Sequence, residues 1–286
     1  MLKVPKITIL MNREADTNQF ISFMNNSRHS GKKALILRAY PEVMETTEAI
    51  RATISRIYEE KSTELKEAFN AAKEQLEKSS EMLSVLAEIM DYPQLGEKEY
   101  TAVPTVLPFS PFGGSTFYFS VYSSIFKTKN DTLKPVSVVP IAVHEISHFI
   151  FFDQLREWEM ESGKKLIHPA GHYFKEALTA AIMDGPKFKE IFDYQTLRGE
   201  KRYRGNPELH DFSIKYDGDK TNIVDFFKIQ MFGKGGSYKE NLFRLLGLFA
   251  RHQDKFKTKW DTWNAHLSHL ENPELYQDYP NPLELD

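Results

Sequence analysis

Two histidines four residues apart, with a glutamate directly after the first, are the part of this chain best equipped for chemistry. The string Val143-His144-Glu145-Ile146-Ser147-His148 has the HExxH form. Residues four apart on an α-helix stand one above the other on the same face. His144 and His148 can therefore aim two imidazoles at one ion. Glu145 is rotated away from that face by about a third of a turn. From there it can miss the ion yet still reach a water bound to it and act as a general base. The chain contains no cysteine, so any metal must use His, Asp or Glu. The same absence removes disulfide scaffolds and thiol nucleophiles. Zn²⁺ suits such a donor set.

The motif needs a helix, and its neighbours predict one. Pro140 fits a first helical position, no breaker interrupts residues 141–158, and Gly163 follows. The reading is a helix of about five turns. Ile141, Ala142, Val143, Ile146, Phe149, Ile150, Phe151 and Phe152 make it apolar on nearly every side, so it is expected to be buried. Two imidazoles and a carboxylate inside such a helix cost free energy unless something satisfies them. A zinc ion and its water would do so. The plainer reading, histidines hydrogen-bonded to the core, accounts less well for the complete triple on a capped, buried helix.

The remaining residues must position that helix. The chain has 286 residues, of which 21 are Phe and 13 Tyr, enough to bury a substantial core. With 37 Lys and Arg against 40 Asp and Glu, the net charge of −3 gives no basic field for nucleic acid. The most apolar stretch, residues 136–152, is too short and too interrupted by His144, Glu145 and His148 to cross a membrane. The expected partners thus include neither nucleic acid nor membrane. The N-terminus shows one Lys before a short apolar run and no small-residue cleavage site. It reads as a strand, and the location as cytoplasmic.

Residues 6–10 and 33–38 (KALILR) read as strands. From Pro41 to about Met90, apolar residues recur at three- and four-residue steps, which predicts one very long amphipathic helix or a helical hairpin with a solvated charged face. Residues 91–99 form a loop. Residues 102–109 and 115–126 are two strands joined by the turn chemistry of Ser110-Pro111-Phe112-Gly113-Gly114. Residues 127–135 are a polar loop, and beyond them the pattern is mostly helical. Thr221 or Asn222 caps a helix over 223–232, and Ser237-Tyr-Lys-Glu240 is a capping box. The glycines at 233–236 make a connection rather than a phosphate loop. Residues 272–286 read as an acidic surface tail.

Over about residues 101–187 the chain resembles the zincin metallopeptidases, whose active-site helix carries this motif beneath a mixed sheet. The metzincin branch would place a Gly and a third ligand where this chain has Phe151 and Gln154. The gluzincin branch draws its third ligand from a Glu on a later helix. Glu176, in the Ala-rich segment 171–181 that Asp184-Gly185-Pro186 stops, fits that position. Glu157, Glu159 and Glu161 lie too near His148 on the same helix. His168, His172 and Asp184 remain the other candidates. Gluzincins often place an Asp four residues after the ligating Glu to orient a histidine; here that residue is Ala180. The resemblance further implies an edge strand that holds an extended peptide, for which 115–126 is the candidate. It also implies an oxyanion donor among Tyr173, Tyr194, Tyr203, Arg204 and His210, with His210 and Tyr194 favoured.

The expected fold is therefore α+β and zincin-like. Residues 1–100 would hold strands and the long helix, 101–190 the catalytic core and 191–286 a helical subdomain. The expected function is zinc-dependent peptide hydrolysis, with His144, His148 and Glu176 on Zn²⁺ and Glu145 as base. Its alternative is a catalytically silent fold that binds a peptide or protein. A third reading makes the motif coincidental and gives residues 42–90 an interaction role.

Overall fold

A computed structural model describes residues 4–26, 30–43, 45–126, 133–192, 196–197, 200–201, 203, 205–268 and 281–285. It is a helix-rich mixed α/β architecture with small sheets. The chain divides into two compact units, Met1–Ser84 with Gln94–Glu145, and Val85–Pro93 with Ile146–Asp286.

In the first unit β1 (Lys6–Ile9) is followed by helices α1 (Arg13–Asn25), α2 (Ser30–Ala39), α3 (Thr47–Glu60), α4 (Ser62–Glu77) and the start of α5 (Ser80–Ile89). Strands β2 (Glu99–Thr105), β3 (Phe112–Gly113) and β4 (Thr116–Ser120) complete a sheet of order β1–β2–β4–β3. β1 and β4 both pair with β2 in parallel, Ile7 opposite Tyr100 and Val103 opposite Tyr118. A parallel pair needs a crossover, and α1 to α5 provide the one between β1 and β2.

Asp16 on α1 ties the helices to the end of β2. This buried carboxylate accepts hydrogen bonds from Thr105 Oγ1, from Val106 N at 3.0 Å and from Tyr58 OH at 2.9 Å. Tyr40 OH donates to Val106 O at 2.5 Å, so both backbone groups of Val106 are held by side chains. Burial raises the Asp16 pKa to about 6, and these three donors hold it below the value burial alone would give.

Four expectations for this part of the chain are corrected. Residues 33–38 lie in helix α2, not a strand; Ala, Leu, Lys and Arg all favour helix, and a run this short shows no period to arbitrate. The stretch from 41 to 90 is three helices rather than one or two. Strand β4 ends at Ser120, whose hydroxyl accepts the Tyr122 N–H at 3.3 Å and turns the chain into α6 (Tyr122–Ile125). Nor is β4 an open edge for a peptide. Residues 110–113 double back along it, so that Tyr118 N–H donates to Pro111 O at 2.8 Å and Ser120 N–H to Ser110 Oγ at 3.0 Å.

Helix α7 (Val138–Ser162) is longer than expected and carries the motif. Gln75 on α4 caps its start: Val138 N–H donates to Gln75 Oε1 at 3.0 Å, and Gln75 Nε2 donates to Val136 O at 2.8 Å. Gly163 closes it, its N–H donating to Glu159 O at 3.1 Å.

The second unit is built around α8 (Ala170–Met183), buried at every position from Tyr173 to Met183. Around it lie α9 (Pro186–Ile191), the short hairpin β5 (Thr196–Leu197) and β6 (Glu200–Lys201), and a 3₁₀ turn at Pro207–Leu209. Strands β7 (Ser213–Tyr216) and β8 (Asp219–Asn222), then α10 (Ile223–Phe227), a π-turn over Lys228–Gly233, α11 (Tyr238–Arg251) and α12 (Gln253–Ser268) follow. The Asn222 cap and the Ser237–Glu240 capping box form as the sequence predicts. The sheet of order β8–β7–β9 is unforeseen, β9 being Leu283–Glu284. Leu283 and Leu285 are buried, so residues 281–285 are not a surface tail. Residues 127–132, within the expected polar loop, and 272–280 lie outside the described residues.

Candidate metal centre

His144, Glu145 and His148 are all buried, at 8%, 4% and 1% exposure. One ligand atom from each lies within 4.8 Å of those of the other two, and among the described residues this is the one such group of three or more. Because a single helix carries all three, their spacing follows from helix geometry alone. The sequence reading of these residues thus meets a convergent buried cluster.

Within the second unit α8 lies against α7. Ser147 Oγ and Thr179 Oγ1 share a buried hydrogen bond of 2.5 Å, and the rings of Phe151 and Phe174 stack with centroids 5.3 Å apart. The bridge joins the residue before His148 to the residue one turn beyond Glu176. It brings Glu176 Oε2 to 3.5 Å from His148 Nε2, with both side chains nearly inaccessible. Glu145 Oε2, both ring nitrogens of His148 and Glu176 Oε2 are buried, and these individual atoms make no hydrogen bond among the described residues. The buried His144, Glu145 and His148 group could hold a metal ion.

Compared with protein-family models, with curated proteins and with solved structures, the chain matches none. What can be said of the site therefore rests on its own residues.

The competing ligand candidates are engaged elsewhere. Asp184 accepts from Tyr203 N at 2.9 Å, is bound by Lys228 Nζ, and pairs with Lys189 Nζ at 3.2 Å. Glu157 and Glu161 pair with Lys239, and Glu159 with Lys165. His168 is exposed and sets its ring edge-on to Trp260. His172 Nε2 lies 2.9 Å from Glu208 Oε1. His210 is half-buried at the end of the 3₁₀ turn, where its backbone carbonyl accepts from Asn222 Nδ2 at 3.1 Å. Tyr194 and Arg204 lie outside the described residues. Tyr173 is wholly buried among Phe212, Phe256 and Trp260.

Around Glu176, sequence reasoning missed Lys175 and Glu208, and named His172 only as a possible ligand. Lys175 is buried and its Nζ donates to Glu176 Oε1. His172 Nδ1 stands 3.9 Å from the same oxygen, one turn earlier on α8. Glu208 braces the other side of that imidazole. The i, i+4 spacing of His172 and Glu176 was readable; the arrival of Glu208 was not. It depends on Gly205 (φ +68°), where an added Cβ would lie 2.9 Å from Ala180 Cβ and 3.0 Å from Leu209 Cδ1. The small residue at 180, where a gluzincin often has Asp, thus makes room for the turn that delivers Glu208.

Proposed function

We propose that this protein is a zinc-dependent peptidase. The observation that carries the reading is the convergence of ligand atoms of His144, Glu145 and His148, all on one buried helix. Glu176, facing His148 at 3.5 Å, supports a third ligand from α8. The proposed ion is Zn²⁺, held by His144, His148 and Glu176. Bound there, zinc would supply Lewis acidity, bringing a coordinated water toward ionisation near neutral pH and polarising the scissile carbonyl.

The chain's own groups supply the rest. Glu145 takes the proton of the attacking water and passes it to the leaving amine, which converts a poor leaving group into a neutral one. Burial keeps bulk water from competing for that proton. His210 and Tyr194 are the proposed donors to the developing oxyanion. The substrate class is a peptide or protein. A library of quenched fluorescent peptides, incubated with zinc-loaded protein and with Glu145→Gln, tests the reading. Cleavage by the parent, lost in a Glu145→Gln variant that keeps its zinc, is the expected result. Full zinc with no cleavage of any peptide would favour a binding module.

A further inference from the structure

A carboxylate has two oxygens, and the torsion that exchanges them is soft. A Glu ligand can therefore bind a metal through one oxygen or through both, unless its surroundings choose. At Glu176 the surroundings are asymmetric. Oε1 accepts from Lys175 Nζ and has His172 Nδ1 at 3.9 Å, while Oε2 faces His148 Nε2 at 3.5 Å. His172 is itself fixed, because its Nε2 meets Glu208 Oε1 at 2.9 Å. Glu208 is buried in the turn at Pro207–Leu209. All five residues belong to the second unit.

We propose that Lys175 and the His172–Glu208 pair are positioning residues: Lys175 holds Glu176 Oε1, the pair flanks that oxygen with His172 Nδ1 at 3.9 Å, and Oε2 is left as the single metal-ligating oxygen. This inference rests on the zinc reading above. Its chemical consequence is a coordination position kept open. With Oε1 withheld, two imidazoles and one oxygen occupy three positions, and the fourth stays available for water, as a hydrolytic site requires. A Glu free to bind through both oxygens would crowd that position. The groups behind a ligand set its orientation and typically alter metal affinity when removed.

The test uses the full chain with Zn²⁺ and Co²⁺ as probes. Zinc affinity is measured by competition with a chromophoric chelator, and coordination number by the visible absorption of the cobalt form, which is intense for four ligands and weaker for more. Four variants are compared with the parent: Lys175→Met, Lys175→Arg, Glu208→Ala and Glu208→Gln. Circular dichroism of the metal-free proteins reports folding separately. Lys175→Met is expected to weaken the cobalt band as Oε1 joins the metal, and Lys175→Arg, which retains a donor, to restore it. Glu208→Ala is expected to lower zinc affinity about 10-fold, with Glu208→Gln intermediate. If Lys175→Met does not fold, the two Glu208 variants decide; if Glu208→Ala does not fold, Lys175→Met and Glu208→Gln decide, with a smaller loss of affinity expected for Glu208→Gln. A parent that binds both metals, with every folded variant matching its affinity and spectrum, would overturn the positioning roles alone. A parent that binds neither metal would overturn the zinc reading and this inference with it.

Discussion

Glu145 and Asp16 are both buried carboxylates, and they differ in what surrounds them. Asp16 accepts three hydrogen bonds at the end of β2, yet burial still leaves its pKa raised to about 6 from the ordinary 3.8. Between those values the folded chain holds a proton that the unfolded chain has released. Stability from this group is therefore fully present below about 3.8 and is lost as pH rises through about 6, by at most on the order of 3 kcal/mol. Asp16→Asn should flatten that slope. Denaturant midpoints from pH 3.5 to 7 for both proteins check it; parallel profiles would contradict the assignment. Glu145 lies instead on α7 beside two imidazoles. Its replacement by Gln should leave stability nearly unchanged and lower peptide hydrolysis by about 10²–10⁴-fold, as steady-state rates at equal zinc content would show.

At the scale of elements, α7 is started by a partner from far away in sequence. Gln75 satisfies both a donor and an acceptor at its first turn. Gln75→Ala should cost about 0.5–2 kcal/mol, as the loss of a helix cap does, and calorimetry measures it. Gly205→Ala should cost about 1–3 kcal/mol, because Ala resists a positive φ and its methyl meets Ala180. It should also weaken zinc binding by displacing Glu208, and unchanged zinc affinity would separate the turn from the metal centre. These two devices explain what was legible in the sequence. The motif triple, the end of α8, the Asn222 cap and the Ser237 capping box are set by spacing within one element, and reading residue types in order suffices. Gln75 and Glu208 act on residues tens of positions away, and nothing local announces them. The parallel pairing of β4 with β2 is equally non-local, and turn chemistry between two runs suggested only that they are neighbours. The β7–β8 hairpin did have a signal. Asp217 and Gly218, with φ of +54° and +81°, form the Asp-Gly turn that fits hairpins. The second strand, Asp219–Asn222, is wholly polar, so no alternation announces it.

For the whole molecule the question is whether a metal is part of the folded state. The chain has two compact units, with one small sheet described in the first and two in the second, and no described helix is long and apolar enough to cross a membrane. A ligand that binds only the folded chain stabilises it by mass action, by about 2.7 kcal/mol when free zinc is a hundred times the dissociation constant. The melting temperature should therefore rise with zinc in the parent protein and stay flat in His148→Ala. The most direct test of the central claim is elemental analysis of the full chain, purified without chelator, beside His144→Ala and His148→Ala. The account predicts one zinc per chain in the parent and little in either variant. Substoichiometric zinc in the parent that neither substitution changes would contradict it.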